Sequence, residues 1–235
     1  MHQIICAALL CTLAVAASGC SPREESPVPG SEKELSFRVV DTDFSKGRLG
    51  YQQEIRLEDL VRLHGHLCDG LIEGALALQY GLPLLYPDEL IDRTNTRVAS
   101  RSSPCLADAA LLLSGARYQY GTFFVNDDLP GLYVIGRADR EEAFAIRRKS
   151  GVKPPAIDIL GGQAIAGQLS PCGLDSLRQL EEDYADFLLE TKALGELFAV
   201  EPLEGFSWVI PLKNDFLKTD ILNKNAAACS AMIQQ

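Results

Sequence analysis

The chain is poor in positive charge: 22 Lys and Arg stand against 32 Asp and Glu in 235 residues, a formal charge of −10. Its basic residues are not gathered into one patch, which excludes a phosphate-backbone binder. It is also short of long apolar runs. The stretch from Ile4 to Ala17 is about fourteen residues, where a bilayer span needs roughly twenty, so a polytopic membrane protein is excluded. Seven cysteines are too few for a disulfide-dense small scaffold. Gly161-Gly162 with Gly167 lacks the G-x-G-x-x-G pattern and any Walker lysine, so these glycines read as a loop or a tight helix contact rather than a nucleotide site. Hydrophobic residues at 47% and charged residues at 23% exclude wholesale disorder. The length leaves room for one ordinary domain or two small ones.

What is present begins with an address. The uncharged, Ala- and Leu-rich run ends in Ala17-Ser18-Gly19-Cys20, followed by Ser21-Pro22. A short apolar run closed by small residues marks a secretory signal. Small residues leading into a cysteine resemble a bacterial lipobox, which makes Cys20 the candidate lipidation site. Ala17 stands where lipoboxes carry Leu, and Met1-His2-Gln3 has no Lys or Arg; an ordinary signal peptide with an incidental cysteine is the alternative. Between Ser21 and Ser36, Pro22, Pro27, Pro29 and Gly30 leave too little apolar surface to order the segment. The expected organisation is a signal peptide over 1–19, a lipid-anchored tether over 20–36 and a folded domain over 37–235. Such a protein sits on a bacterial cell-envelope membrane and faces the periplasm or the exterior.

Within the domain, helical spacing runs from Leu57 to Leu63 and again from Leu67 to Tyr80, where Gly81 and Pro83 end it. Leu106 to Ala116 is an almost wholly apolar, hence buried, helix. Leu174 to Leu188 repeats at three and four, an amphipathic helix ending before Gly195. Thr94–Ser102, Thr122–Val125 and Leu132–Ile135 read as strands, with Ala143–Ile146 as the third strand of a meander. The expected class is α/β (α+β), helices packed on a mixed, largely antiparallel sheet.

The chemistry gathers in His64-Gly65-His66-Leu67-Cys68-Asp69-Gly70, which holds every histidine after the signal. Imidazole and thiolate suit zinc and related transition metals. Gly65 lets neighbouring ligands face one centre, and a helix starting near Cys68 aims free N–H groups at its sulfur. His-x-His-x-Cys supplies three ligands, and Cys105, at the head of the next buried helix, is the candidate fourth. A packed corner and a Cys68–Cys105 disulfide are the competing readings.

The stretch from Leu57 to Leu78 resembles the opening of the E-subunit family of formylmethanofuran dehydrogenase, with its HGHxCPG motif. Cys105-Leu-Ala-Asp108-Ala109 resembles that family's second cysteine and its C-x-x-D-A helix. Tyr120–Asp127, Ala143–Gly151 and Glu196–Leu203 resemble later segments in order, so the resemblance covers about residues 52 to 204. It implies an α/β core domain, a homodimer, and a metal or reactive-cysteine centre at His64, His66, Cys68 and Cys105. Asp69 replaces the family's Pro and offers a further oxygen ligand. The paired cysteines of a C-terminal zinc-ribbon module are missing, since Leu212–Gln235 holds only Cys229.

Outside the triplet, Cys172 opens the long helix, Asn126-Asp127-Asp128 is an oxygen-rich turn, and Arg147-Arg148-Lys149 reads as a solvated turn or an anion holder. The leading functional expectation is a metal-binding envelope lipoprotein, zinc first among transition metals, in an accessory or sensing role. The alternative is a metal- or thiol-dependent enzyme built on the same centre, with Asp69, Glu73 or Asp108 as its candidate base. A structural lipoprotein stapled by Cys68–Cys105 is the third. The small-molecule ligand is not readable from the sequence.

Overall fold

The computed structural model describes residues 35–43 and 48–208; the expected signal peptide, the candidate lipidation site Cys20, nearly all of the expected tether, and Cys229 lie outside the described residues. Strand β1 (Ser36–Asp43) pairs antiparallel with β2 (Arg48–Arg56), Phe37 opposite Ile55 and Val39 opposite Gln53. Phe37, Val39 and Ile55 are buried, while Gln52, Gln53 and Glu54 stay exposed. The short strand β3 (Leu90–Asp92) adds in parallel on the other side of β1. No long apolar alternation announces these strands, and they are absent from the expectations above.

Helix α1 (Leu57–His64) follows β2 directly. Leu57 and Leu60 face the core, and Asp59 in its first turn accepts the Arg56 backbone N–H at 3.0 Å. Helix α2 (Asp69–Gly81) is the axis of the domain: every residue from Leu71 to Leu78 is buried. Such a helix has neighbours on all sides. They are α3 (Pro104–Ser114), α5 (Pro171–Glu190) and the second sheet. Full burial of each of its leucines contributes roughly 1.5–3 kcal/mol relative to exposure.

The second sheet holds β4 (Thr96–Ser100), β5 (Phe123–Val125), β6 (Tyr133–Arg137), β7 (Ala143–Arg148) and β8 (Phe198–Leu203), in the order β5-β4-β6-β7-β8. Only β5 is parallel to its neighbour. Parallel strands need a crossover, and α3 supplies it between β4 and β5. The expected meander is therefore corrected at its first step: β4 lies between β5 and β6, while β6 and β7 pair as expected. Period-two alternation gives each strand two working faces. Val98, Ile135 and Ile146 meet the helices; Ala99, Val134 and Ala145 form the opposite face with Phe124, Phe206 and Trp208. The α+β class with a mixed, largely antiparallel sheet stands.

Two further segments differ from expectation. Gly161 and Gly162 lie inside α4 (Pro155–Ile165), and a Cβ at either would meet nothing within 4 Å, so they form neither a loop nor a tight contact. This helix is mostly apolar, with Asp158 and Gln163 as its polar residues, yet buries only Ile157 and Ala164, which leaves no periodic stripe to read. Arg147, Arg148 and Lys149 are each committed within the fold, to Glu201, Glu73 and the Gly195 carbonyl. A short α6 (Leu194–Leu197) leads into β8. Among the described residues no helix is long and apolar enough to cross a membrane.

Candidate metal centre

The centre is assembled from one helix end and two helix beginnings. His64 closes α1, and Gly65, at φ +99°, turns the chain in the left-handed conformation that a side chain would strain. His66 and Leu67, both exposed, lead to Cys68, which caps α2: its Sγ accepts the Leu71 N–H at 3.4 Å. Cys105 follows Pro104 in the first turn of α3, whose cap Ser103 accepts the Leu106 N–H at 3.4 Å. Both sulfurs thus sit at positive helix ends, which favour thiolates.

What lets the two helix ends meet is the absence of side chains on α2. A Cβ at Gly70 would lie 3.0 Å from Cys105 Sγ, and one at Gly74 would lie 2.7 Å from the Tyr133 hydroxyl. That hydroxyl donates to the Leu106 carbonyl of α3 at 2.9 Å.

His64, His66 and Cys68 each offer a ligand atom, and these atoms lie within 4.8 Å of one another. The two imidazole centroids are 4.7 Å apart. Cys105 stands outside that group of three and meets it through Cys68. The Cys68 Sγ is 3.6 Å from His64 Nε2 and 3.6 Å from Cys105 Sγ. Zinc takes sulfur at about 2.3 Å and nitrogen at about 2.0–2.1 Å, so tetrahedral donor–donor edges come to roughly 3.5–3.8 Å. Both edges at Cys68 have that length.

His64 is held from behind. Asp108, one turn after Cys105 on α3, contacts its Nδ1 at 2.8 Å, and the His64 side chain is only 6% exposed. A carboxylate can only accept, so Nδ1 carries the proton and, in the neutral ring, the Nε2 lone pair is free toward Cys68. Metal-ligating histidines are oriented by such carboxylate partners.

The sulfurs are electrostatically unequal. The hydrogen bond with Cys68 lowers the Cys105 thiol to about 7 against the cost of burial. That same bond, followed by burial and the neighbouring thiolate, pushes Cys68 far above the ordinary thiol range. A pair of this kind gives up one proton readily and holds the second until a cation arrives. Asp69 lies in the first turn of α2, outside the donor group; burial pushes its carboxyl up against the pull of Lys153.

A family model described as "FmdE, Molybdenum formylmethanofuran dehydrogenase operon" matches residues 63–198, more than half of the chain. The chain belongs to the FmdE family. The match opens at the donor triplet, spans Cys105 and Asp108, and closes at the start of β8. No curated protein matches the FmdE-family chain. The family and a His/His/Cys group able to take a metal ion therefore stand together on independent observations.

Three features of the site have roles that the sequence does not assign. Asp108, a candidate base within the C-x-x-D-A resemblance, is the partner that orients His64, and its spacing three residues after Cys105 puts both on one helix face. The Gly70/Gly74 pair carried a readable signal, small residues four apart on a buried helix. The third is a buried polar cluster on α2 one turn beyond Asp69. Glu73, 5% exposed, takes Arg148 Nη1 at 2.9 and 3.0 Å and the Tyr184 hydroxyl at 3.0 Å. Only three-dimensional contact reveals it. Cys172 is exposed and disulfide-bonded, and neither Cys68 nor Cys105 is its partner, since both are free thiols.

Proposed function

We propose that this FmdE-family protein is a cell-envelope lipoprotein that holds a transition metal, zinc first, between His64, His66, Cys68 and Cys105. The observation that carries the metal reading is the pair of 3.6 Å contacts at Cys68, to His64 Nε2 and to Cys105 Sγ. Two soft sulfurs and two imidazoles form a donor set that zinc prefers. Asp108 fixes the His64 ring with its free nitrogen inward. The metal would supply the positive charge that lets both thiols ionise side by side.

The lipid anchor at Cys20, the signal over 1–19 and the tether over 20–36 are supported by the sequence pattern alone. They place the domain on the envelope membrane, facing the periplasm or the exterior. A homodimer is part of the proposal and rests on the family resemblance. Four protein donors favour an accessory or sensing role, because a closed set leaves no substrate position.

One observation favours the enzymatic alternative. His66 is the exposed donor, whereas His64 and both cysteines are partly buried. Its departure would open the position at which a metal-dependent reaction takes place.

Full-length protein purified under reducing conditions is expected to carry about one transition metal per chain, as a single tetrahedral site requires. Elemental analysis checks this, with His66→Ala/Cys68→Ser as the variant expected to be empty. Reduced protein that binds no zinc on titration removes the metal reading. Replacement of Cys20 is expected to release the protein from membranes; retention removes the anchor.

A further inference from the structure

The two free cysteines of the centre are close enough for a second chemistry. Cys68 and Cys105 approach to 3.6 Å from opposite helices, and neither is bonded to another residue. A disulfide needs the sulfurs at about 2.05 Å, an approach of roughly 1.5 Å. Gly70 sets no side chain against Cys105 Sγ, from which a Cβ would lie only 3.0 Å away. Both sulfurs lie at helix N-termini, where the Leu71 N–H already contacts Cys68 and stabilises an attacking or departing thiolate.

We propose that Cys68 and Cys105 are a redox-active dithiol that undergoes thiol–disulfide exchange with an external disulfide, and that metal binding and oxidation at this centre exclude one another. The substrate class is a small-molecule or protein disulfide. One cysteine thiolate attacks a sulfur of R–S–S–R; a mixed disulfide forms and one R–S⁻ leaves. The second cysteine, as thiolate, attacks the bound protein sulfur; the Cys68–Cys105 bond forms and the second R–S⁻ leaves. The protein loses two electrons and two protons, and the external disulfide departs as two thiols. Oxidation removes two thiolates from the donor set, and a metal in place covers both nucleophiles.

The exclusion rests on the metal reading above, whereas the exchange itself does not, and one preparation separates the two. Reduced, chelator-treated full-length protein is incubated with glutathione disulfide, alkylated without reduction, and mapped by peptide mass spectrometry. The expected product is a Cys68–Cys105 crosslink, with neither of these cysteines joined to Cys172. Cys68→Ser and Cys105→Ser are each expected to stop at the mixed disulfide with glutathione. The oxidised wild type is expected to lose nearly all of its zinc binding and to regain it with dithiothreitol; zinc-loaded protein is expected to react at least about tenfold more slowly, as thiolate shielding requires.

Two thiols that remain alkylatable, or crosslinks from either cysteine to Cys172, overturn the exchange. Zinc bound equally by reduced and oxidised protein overturns the exclusion. A crosslink formed by protein that takes up no zinc in either state supports the exchange and removes the metal reading.

Discussion

Asp108 reaches across from α3 to grip His64 at 2.8 Å, and the same helix presents Cys105 one turn earlier. One helix therefore sets both a donor and the orientation of a second donor. Asp108→Ala is expected to lower zinc affinity about 10–100-fold with the fold intact. Asp108→Asn is the sharper variant, since its amide can donate to Nδ1 and favour the tautomer that blocks Nε2. Competition against a chromophoric chelator measures both; an affinity equal to wild type for either would show that His64 needs no support.

Gly70 and Gly74 are expected to fail in different ways. Gly70→Ala places a methyl 3.0 Å from Cys105 Sγ at the edge of the site. It is expected to weaken metal binding while changing stability by less than about 1 kcal/mol, the scale of a Gly-to-Ala helix substitution. Gly74→Ala drives its methyl into the Tyr133 hydroxyl at 2.7 Å, deep between α2 and α3. Overpacking of about 1–3 kcal/mol outweighs the helical gain of about 1 kcal/mol. Urea melts beside metal titration separate the two outcomes, and equal effects on both readouts would refute the division.

Arg148 and Glu73 tie β7 to α2, with Tyr184 adding α5. Arg148→Met leaves the Glu73 carboxylate buried without its cation and is expected to cost about 3 kcal/mol or more. Adding Glu73→Gln removes the buried charge and is expected to recover most of that loss. A double-mutant cycle in urea reads the coupling. Additive losses would mean that the pair contributes through packing alone.

Three tyrosines resist ionisation. Burial raises Tyr86 to about 12, against the hydrogen bond with Thr96, and lifts Tyr133 and Tyr184 further. An unfolded chain releases these protons from about pH 10 upward, whereas the folded chain keeps them. The contribution of Tyr86 to stability is thus complete below about pH 10 and is lost as pH rises through about 12, while Tyr133 and Tyr184 carry the loss to higher pH. At pH 11, tyrosinate absorbance of the native protein is expected to fall short of the urea-unfolded value by about three of the chain's seven tyrosines. Full ionisation before any change in circular dichroism would contradict the burial.

The helices around the centre were legible because their patterns are local. The apolar run after Cys68 fixed the start of α2, and the apolar block after Cys105 fixed α3. The donor triplet was legible for the same reason, with its three residues adjacent in the chain. β1 and β2 carry no readable strand signal because β2 exposes Gln52, Gln53 and Glu54, leaving no clean alternation. The position of β4 between β5 and β6 depends on which edge α3 returns to, a choice that spacing does not encode. Glu73, Arg148 and Tyr184 lie 75 and 111 residues apart along the chain, and no motif links them.

His64, His66 and Cys68 fall within five consecutive residues, and only Cys105 and Asp108 come from a distant helix. An unfolded chain therefore already carries a three-toothed chelator. Any ion that binds the denatured ensemble stabilises the native state less than its native affinity implies. Zinc is expected to raise the melting temperature modestly for its binding strength, and most of that rise traces to one sulfur and one carboxylate.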